Sequence, residues 1–139
     1  MSYSGALSAI KTILDGISSS TLSLKFKYFE TTPSSFPAGM LIPPNFSAET
    51  FEDTANNTAT MVLTIRTIFP DEESQTAFEK WVAFLEALHT ELRSRDNLTL
   101  GGNAYSVRIT GTGHGFTNDF TIPCIFYDVQ LEVKMLLST

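Results

Sequence analysis

Residues 121–137, "TIPCIFYDVQLEVKMLL", decide the fold. Ile125, Tyr127, Val129, Leu131, Val133 and Met135 fall on alternate positions. Cys124, Asp128, Gln130, Glu132 and Lys134 take the opposite face. A period of two with one apolar face is the pattern of a half-buried strand, so this stretch predicts a sheet with one covered and one largely polar side. Just upstream, "AYSVRIT" (104–110) alternates likewise, with Tyr105, Val107 and Ile109 inward.

Between these two strands lies "GTGHGFTND" (111–119), with three glycines in five positions. A phosphate cradle needs a helix N-terminus immediately after its glycines, and a Walker loop needs a Lys followed by Ser or Thr. Neither is present here, and the spacing is not that of a dinucleotide fingerprint. The stretch is therefore expected to be a glycine-rich loop joining two strands, with its tip free for interaction.

The cover for the apolar face comes from two helical patterns. In "PDEESQTAFEKWVAFLEALHTELRSRD" (70–96), Phe78, Trp81, Leu85, Leu88 and Leu92 recur at spacings of three and four, widened by Val82 and Phe84. Asp71, Glu72 and Glu73 at its start, with Arg93 and Arg95 at its end, match the helix dipole. Near the N-terminus, Leu7, Ile10, Leu14 and Ile17 predict a short amphipathic helix over 4–18, with Ser4 as its cap and "DGISSSTL" as its end.

The remaining segments complete the sheet. "LSLKFKYF" (22–29) alternates, with Leu22, Leu24, Phe26 and Tyr28 on one face. Residues 30–48 hold Pro33, Pro37, Pro43 and Pro44 and predict an irregular proline-rich loop with a short strand at Met40 to Ile42. Phe36 and Phe46 would pin that loop to the domain; the alternative is contact with a partner subunit. "AETFEDTANNTATMVLTIRTIF" (48–69) predicts a hairpin turning around Asn56 and Asn57. Its first strand is acidic, with Glu49, Glu52 and Asp53, and its second puts Met61, Leu63, Ile65 and Phe69 on one face.

The order predicts an α+β fold: a mainly antiparallel sheet of four to six strands, with a short N-terminal helix and one long central helix on one face. A chain of 139 residues that is 42% hydrophobic suffices for one core, so residues 1–139 are expected to be a single domain. Net charge −6 argues against a protein whose main task is gripping nucleic acid backbone. The lone Cys124 forms no intrachain disulfide, and no apolar run is long enough for a membrane span.

Chemistry-bearing residues are sparse. His89 sits beside the stripe of the long helix and reads as a core or boundary histidine; His114 reads as solvent-facing. Two separated histidines and one cysteine do not make a zinc site. A Cys124–His114 nucleophile pair is the one enzyme reading, and it is weak, because a thiol after Pro123 in an apolar strand lacks the cationic surroundings that lower its pKa. Catalytic, cofactor and metal residues are therefore expected to be absent. The mixed-sign face formed by Arg66, Arg108, Asp128, Glu132 and Lys134 is either a solvated surface or an interface between copies, with opposite charges setting the register.

The element order, including "KYFETTPSSFPAGMLIPP", the acidic hairpin, the long helix and the terminal strand pair, resembles tail terminator proteins of long-tailed bacteriophages over nearly the whole chain. The resemblance implies a non-enzymatic virion protein assembled in the host cytoplasm, without cofactor or membrane. It implies a ring, a hexamer, that caps the tail tube protein, stops polymerisation, meets the head connector and lets DNA pass through its lumen. Another head-to-tail neck or head-closure protein and a monomeric binding module are the remaining alternatives. The expected subunit or tube contacts are Glu49, Glu52, Asp53, Asn56, Asn57, Arg66, Arg108, His114, Phe116, Asp128, Glu132 and Lys134.

Overall fold

The N-terminal helix α1 (Tyr3–Thr21) is longer than its apolar spacing predicts. Ser2 caps it in place of Ser4, its Oγ accepting from the Gly5 N–H at 3.1 Å. "DGISSSTL" does not break it. Ser19 donates to the Gly16 carbonyl, and Ser20 and Thr21 both donate to that of Ile17. These serines thus satisfy themselves within the helix while Ile17, Ser18 and Leu22 are drawn into the core. The computed structural model describes residues 2–22, 24–29, 33, 35–46, 50–51, 56–94, 99–120 and 122–138.

Six strands follow: β1 (Phe26–Tyr28), β2 (Ala38–Phe46), β3 (Thr50–Phe51), β4 (Asn56–Pro70), β5 (Ser106–Thr117) and β6 (Cys124–Ser138). They form one sheet in the order β1-β2-β4-β6-β5, with β3 also paired to β4. Every pairing is antiparallel except β1 with β2. The helix α2 (Ser74–Arg93) follows a short 3-10 turn over Asp71–Glu73 and packs with α1 on one sheet face. The α+β class, the two helices and the mostly antiparallel sheet are those the alternation and helical spacing predict. Neither helix is long and apolar enough to cross a membrane.

Between the layers lie Ile10 and Leu14 of α1, Trp81, Phe84, Leu88 and Leu92 of α2, and the inward residues of the two long strands. Met61, Leu63, Ile65 and Phe69 are buried together with Val129, Leu131, Val133 and Met135. Each fully buried side chain of this size stabilises by about 1.5–3 kcal/mol relative to leaving it in water. The helical stripe is rotated from the predicted one. Ala77 occupies the buried position at the helix start, Phe78 is 52% exposed, Leu85 is half-buried and His89 is exposed rather than at a core boundary.

Three stretches read as loops or turns are strand. Gly111, Gly113 and Gly115 lie inside β5, paired residue by residue with Gln130, Asp128 and Phe126 of β6. Fifteen residues of β6 offer a template longer than "AYSVRIT", and long-range pairing overrides the local turn preference of glycine. Gly115 has a reason to be glycine there, since a Cβ would come 2.6 Å from the Phe126 ring. Ala38–Phe46 of the proline-rich segment is β2, where Pro43 and Pro44 fall at a register shift between Ile42 and Asn45. Asn56 and Asn57 are strand residues of β4 opposite Ser138 and Leu137, and Asn57 also pairs with Phe51 of β3.

Tyr105, predicted inward, is 61% exposed because Ala104 takes the buried position at the start of that strand. At the first strand, Leu22 and Phe26 are buried as the alternation predicts, while Tyr28 is 51% exposed.

Candidate interaction surfaces

The sheet face away from the helices carries the mixed-sign residues, and the register brings them into pairs. Arg66 stands directly opposite Asp128, and Arg108 opposite Glu132. The Arg66 guanidinium grips the Asp128 carboxylate through Nε at 2.8 Å and Nη2 at 2.9 Å, and lies 4.3 Å from the centre of the Phe126 ring. The bidentate hydrogen bond raises the Arg66 pKa further, against the opposing effect of burial. Arg108 meets Glu132 at 3.0 Å but remains largely exposed. Such exposed pairs contribute about 0.2–1 kcal/mol each, so their larger effect is on orientation and on which charges the surface presents. Lys134 completes the row as an exposed residue opposite Thr60.

This outer face is not polar throughout. At one corner Met40, Ile68 and Cys124 are buried beneath Phe36, Ile42, Phe120 and Phe126. Phe36 packs against Phe120 with ring centres 5.5 Å apart, so it does pin its segment to the domain. Phe46 remains 50% exposed and meets Tyr3 of α1 edge-on at 4.4 Å. Cys124, assigned to the polar face, is the small buried residue of this corner. Burial pushes its thiol pKa up, and the negative charge of Asp71 adds to the effect.

His114 lies on the other side of the sheet. It is opposite Tyr127, whose ring it faces at 6.5 Å, whereas Cys124 is opposite Thr117 on the outer face. A Cys124–His114 pair therefore does not form. His114 and Phe116, both exposed, share the helix side with Phe78 and with Trp81, which stacks on Tyr127 at 4.9 Å. Burial also raises the Tyr127 pKa. Among the described residues no group of three or more His, Cys, Asp and Glu is placed to hold a metal ion.

The predicted contact residues thus fall into two groups. Arg66, Arg108, Asp128, Glu132 and Lys134 share the outer face. His114 and Phe116 belong to the helix side at the free sheet edge. Asn56 and Asn57 sit at the start of β4, four and three residues before Thr60, the partner of Lys134. Glu49, Glu52 and Asp53 lie outside the described residues. Phe78, an exposed aromatic beside Tyr127 at 6.4 Å, was missed because its spacing matches the core stripe equally well. Its one distinguishing signal is Ala77, which fits the same stripe four residues before Trp81.

No protein-family model and no curated protein matches the sequence. Among solved structures, the fold is similar to that of a chain in the virion of a native gene transfer agent (GTA) particle, with a TM-score of 0.58 and 12% identity, covering 95% of this chain and 92% of that one. At that identity the likeness is one of fold, and it extends over nearly the full length of both chains.

Proposed function

We propose that this chain is a structural subunit of a phage-like virion, and within it a tail terminator: a ring, hexameric by resemblance, that caps the tail tube, stops its growth and presents the surface to which the head connector joins. The observation that carries this reading is the fold shared, nearly end to end, with a chain of a gene transfer agent virion. It agrees with the element order that resembles tail terminators. Arg66–Asp128 and Arg108–Glu132 provide a fixed charge pattern on the outer face, suited to setting the register of a neighbouring subunit. Glu49, Glu52 and Asp53 are proposed to contact the tube or the next subunit.

The test is assembly of tail tubes from purified tube protein with and without this chain, followed by electron microscopy. Tubes that stop growing and carry an added ring at one end support the reading. Tubes that grow unchecked and bind none of the protein overturn it, and binding to the connector alone moves the chain to the neck. Reversing the charges of Glu49, Glu52 and Asp53 together is expected to abolish capping while the monomer stays folded.

A further inference from the structure

β5 is the last strand of the sheet, and among the described residues no strand pairs with its outer edge. That edge is 12 residues long and therefore roughly 40 Å from end to end. From Ile109 to Asn118 it carries no Asp, Glu, Lys, Arg or Pro, in a chain of net charge −6. Open edges present unpaired N–H and C=O groups, and proteins ordinarily defend them with charge or proline. Here charge and proline are both missing, and the stretch carries only a bulge between Ile109 and Gly111.

Gly113 adds an independent observation. Its φ is not positive, and a Cβ built on it would meet nothing within 4 Å. Neither its own backbone nor its own chain requires glycine there. Glycine in a strand interior weakens the strand, and it marks places where another backbone comes close. Phe116, three residues on, is 71% exposed, more than any other large hydrophobic residue described.

We propose that the free edge of β5 pairs antiparallel with β5 of a second copy of this chain, centred on Gly113. In that register Gly113 faces its own counterpart, Gly111 faces the second copy's Gly115, and Thr112 faces the second copy's His114. With the bulge between Ile109 and Gly111 counted, Arg108, the single charged residue of β5, comes opposite the second copy's Thr117, two residues before its Asp119, and the same contact repeats at the other end. Two copies that repel through their net charge thus meet along an uncharged strand closed at both ends by opposite charges. Phe116 is covered by the incoming strand. The interface is two-fold and self-complementary, which distinguishes it from the head-to-tail contacts that close a ring. It does not depend on the tail-capping role and is tested without tails.

The experiment is sedimentation of the free protein at about 100 μM, a concentration that detects even weak pairing. Wild type is expected at twice 15.3 kDa, and Gly113→Lys, whose Cβ meets nothing within 4 Å, at 15.3 kDa with an unchanged circular dichroism spectrum. Gly113→Cys is expected to link two chains by a disulfide on mild oxidation, because residues facing each other across an antiparallel pair lie about 4.5–5.5 Å apart. Gly16→Cys, on an equally unobstructed glycine of α1, is expected not to link. A wild-type chain of single mass, a Gly113→Lys variant that still pairs, or a Gly113→Cys variant that fails to link each overturns the proposal. A larger assembly in which Gly113→Cys links chains in pairs supports it; one without such links overturns it.

Discussion

At one edge of the sheet, β1 is three residues long, its Phe26 N–H is already bonded to the Asp15 carboxylate at 2.8 Å, and the part of β2 that it leaves uncovered contains Pro43 and Pro44. At the other edge, β5 runs for 12 residues with no proline and no charge beyond Arg108. The first edge is closed by shortness, by an acceptor from α1 and by residues without N–H groups. Among the described residues no strand pairs with the outer side of the second, which departs from regular pairing only at the bulge between Ile109 and Gly111, and this difference in closure is what sets the two edges apart.

The largest expected effect that separates the two edges is at their aromatic residues. Phe26 is 1% exposed and stacks on Phe84 of α2 with ring centres 5.6 Å apart. Phe26→Ala should therefore lower unfolding free energy in urea by about 3–5 kcal/mol. Phe116→Ala, at the open edge, should change the stability of the single chain by no more than about 0.5 kcal/mol. A comparable loss at Phe116 would show that the open edge is part of the core, and the comparison would fail.

Two glycines sharpen it next. Gly39 pairs with Phe26, and a Cβ there would lie 2.7 Å from Leu24 and 2.8 Å from the Phe26 ring. Both neighbours belong to the closed edge and are packed, so Gly39→Ala should cost about 1–3 kcal/mol through overpacking. Its unfolding midpoint in urea is the measurement, and an unchanged midpoint would mean that β1 moves freely. Asp15→Ala should cost less, about 1 kcal/mol, because it leaves the partly buried Phe26 N–H without its acceptor. Hydrogen exchange at the Phe26 amide should accelerate, while exchange at the β4 and β6 amides stays as slow as before.

What the sequence reveals of this fold follows the range of the forces involved. Long alternating runs declare β4 and β6, and a three-four spacing over about four turns declares α2, because each pattern is repeated often enough to outweigh local exceptions. Glycine in "GTGHG" and proline in "LIPP" are single-residue turn signals, and both were overridden by pairing partners distant in sequence. The bulge at Ile42–Asn45 that accommodates Pro43 and Pro44 has no local signature. Nor does Phe126, whose ring fills the space that makes Gly115 a glycine. The candidate surface divides in the same way. Arg66, Asp128, Arg108 and Glu132 are recognisable as outward residues, but that Arg66 meets Asp128, 62 residues on, depends on the register of two strands. The openness of the β5 edge is a property of the strand order and is invisible in any short stretch.

The smallest effect is the most discriminating, and it concerns Gly113→Ala. A methyl group at this position meets nothing within 4 Å, and φ lies in a region that alanine adopts without strain. The folded chain therefore loses nothing. The unfolded chain loses freedom, because alanine samples fewer backbone conformations than glycine, and the fold should gain about 0.4–1 kcal/mol. Urea unfolding at protein concentrations low enough to exclude association isolates this term from any contact between copies. A gain, or no change, means that the chain's own fold does not demand glycine at the centre of the open edge, in contrast to Gly39. A loss of more than about 1 kcal/mol would mean that Gly113 serves the monomer after all. The edge would then be glycine-rich for the same reason that β2 is at Gly39, and its openness would no longer set the two sides of the sheet apart.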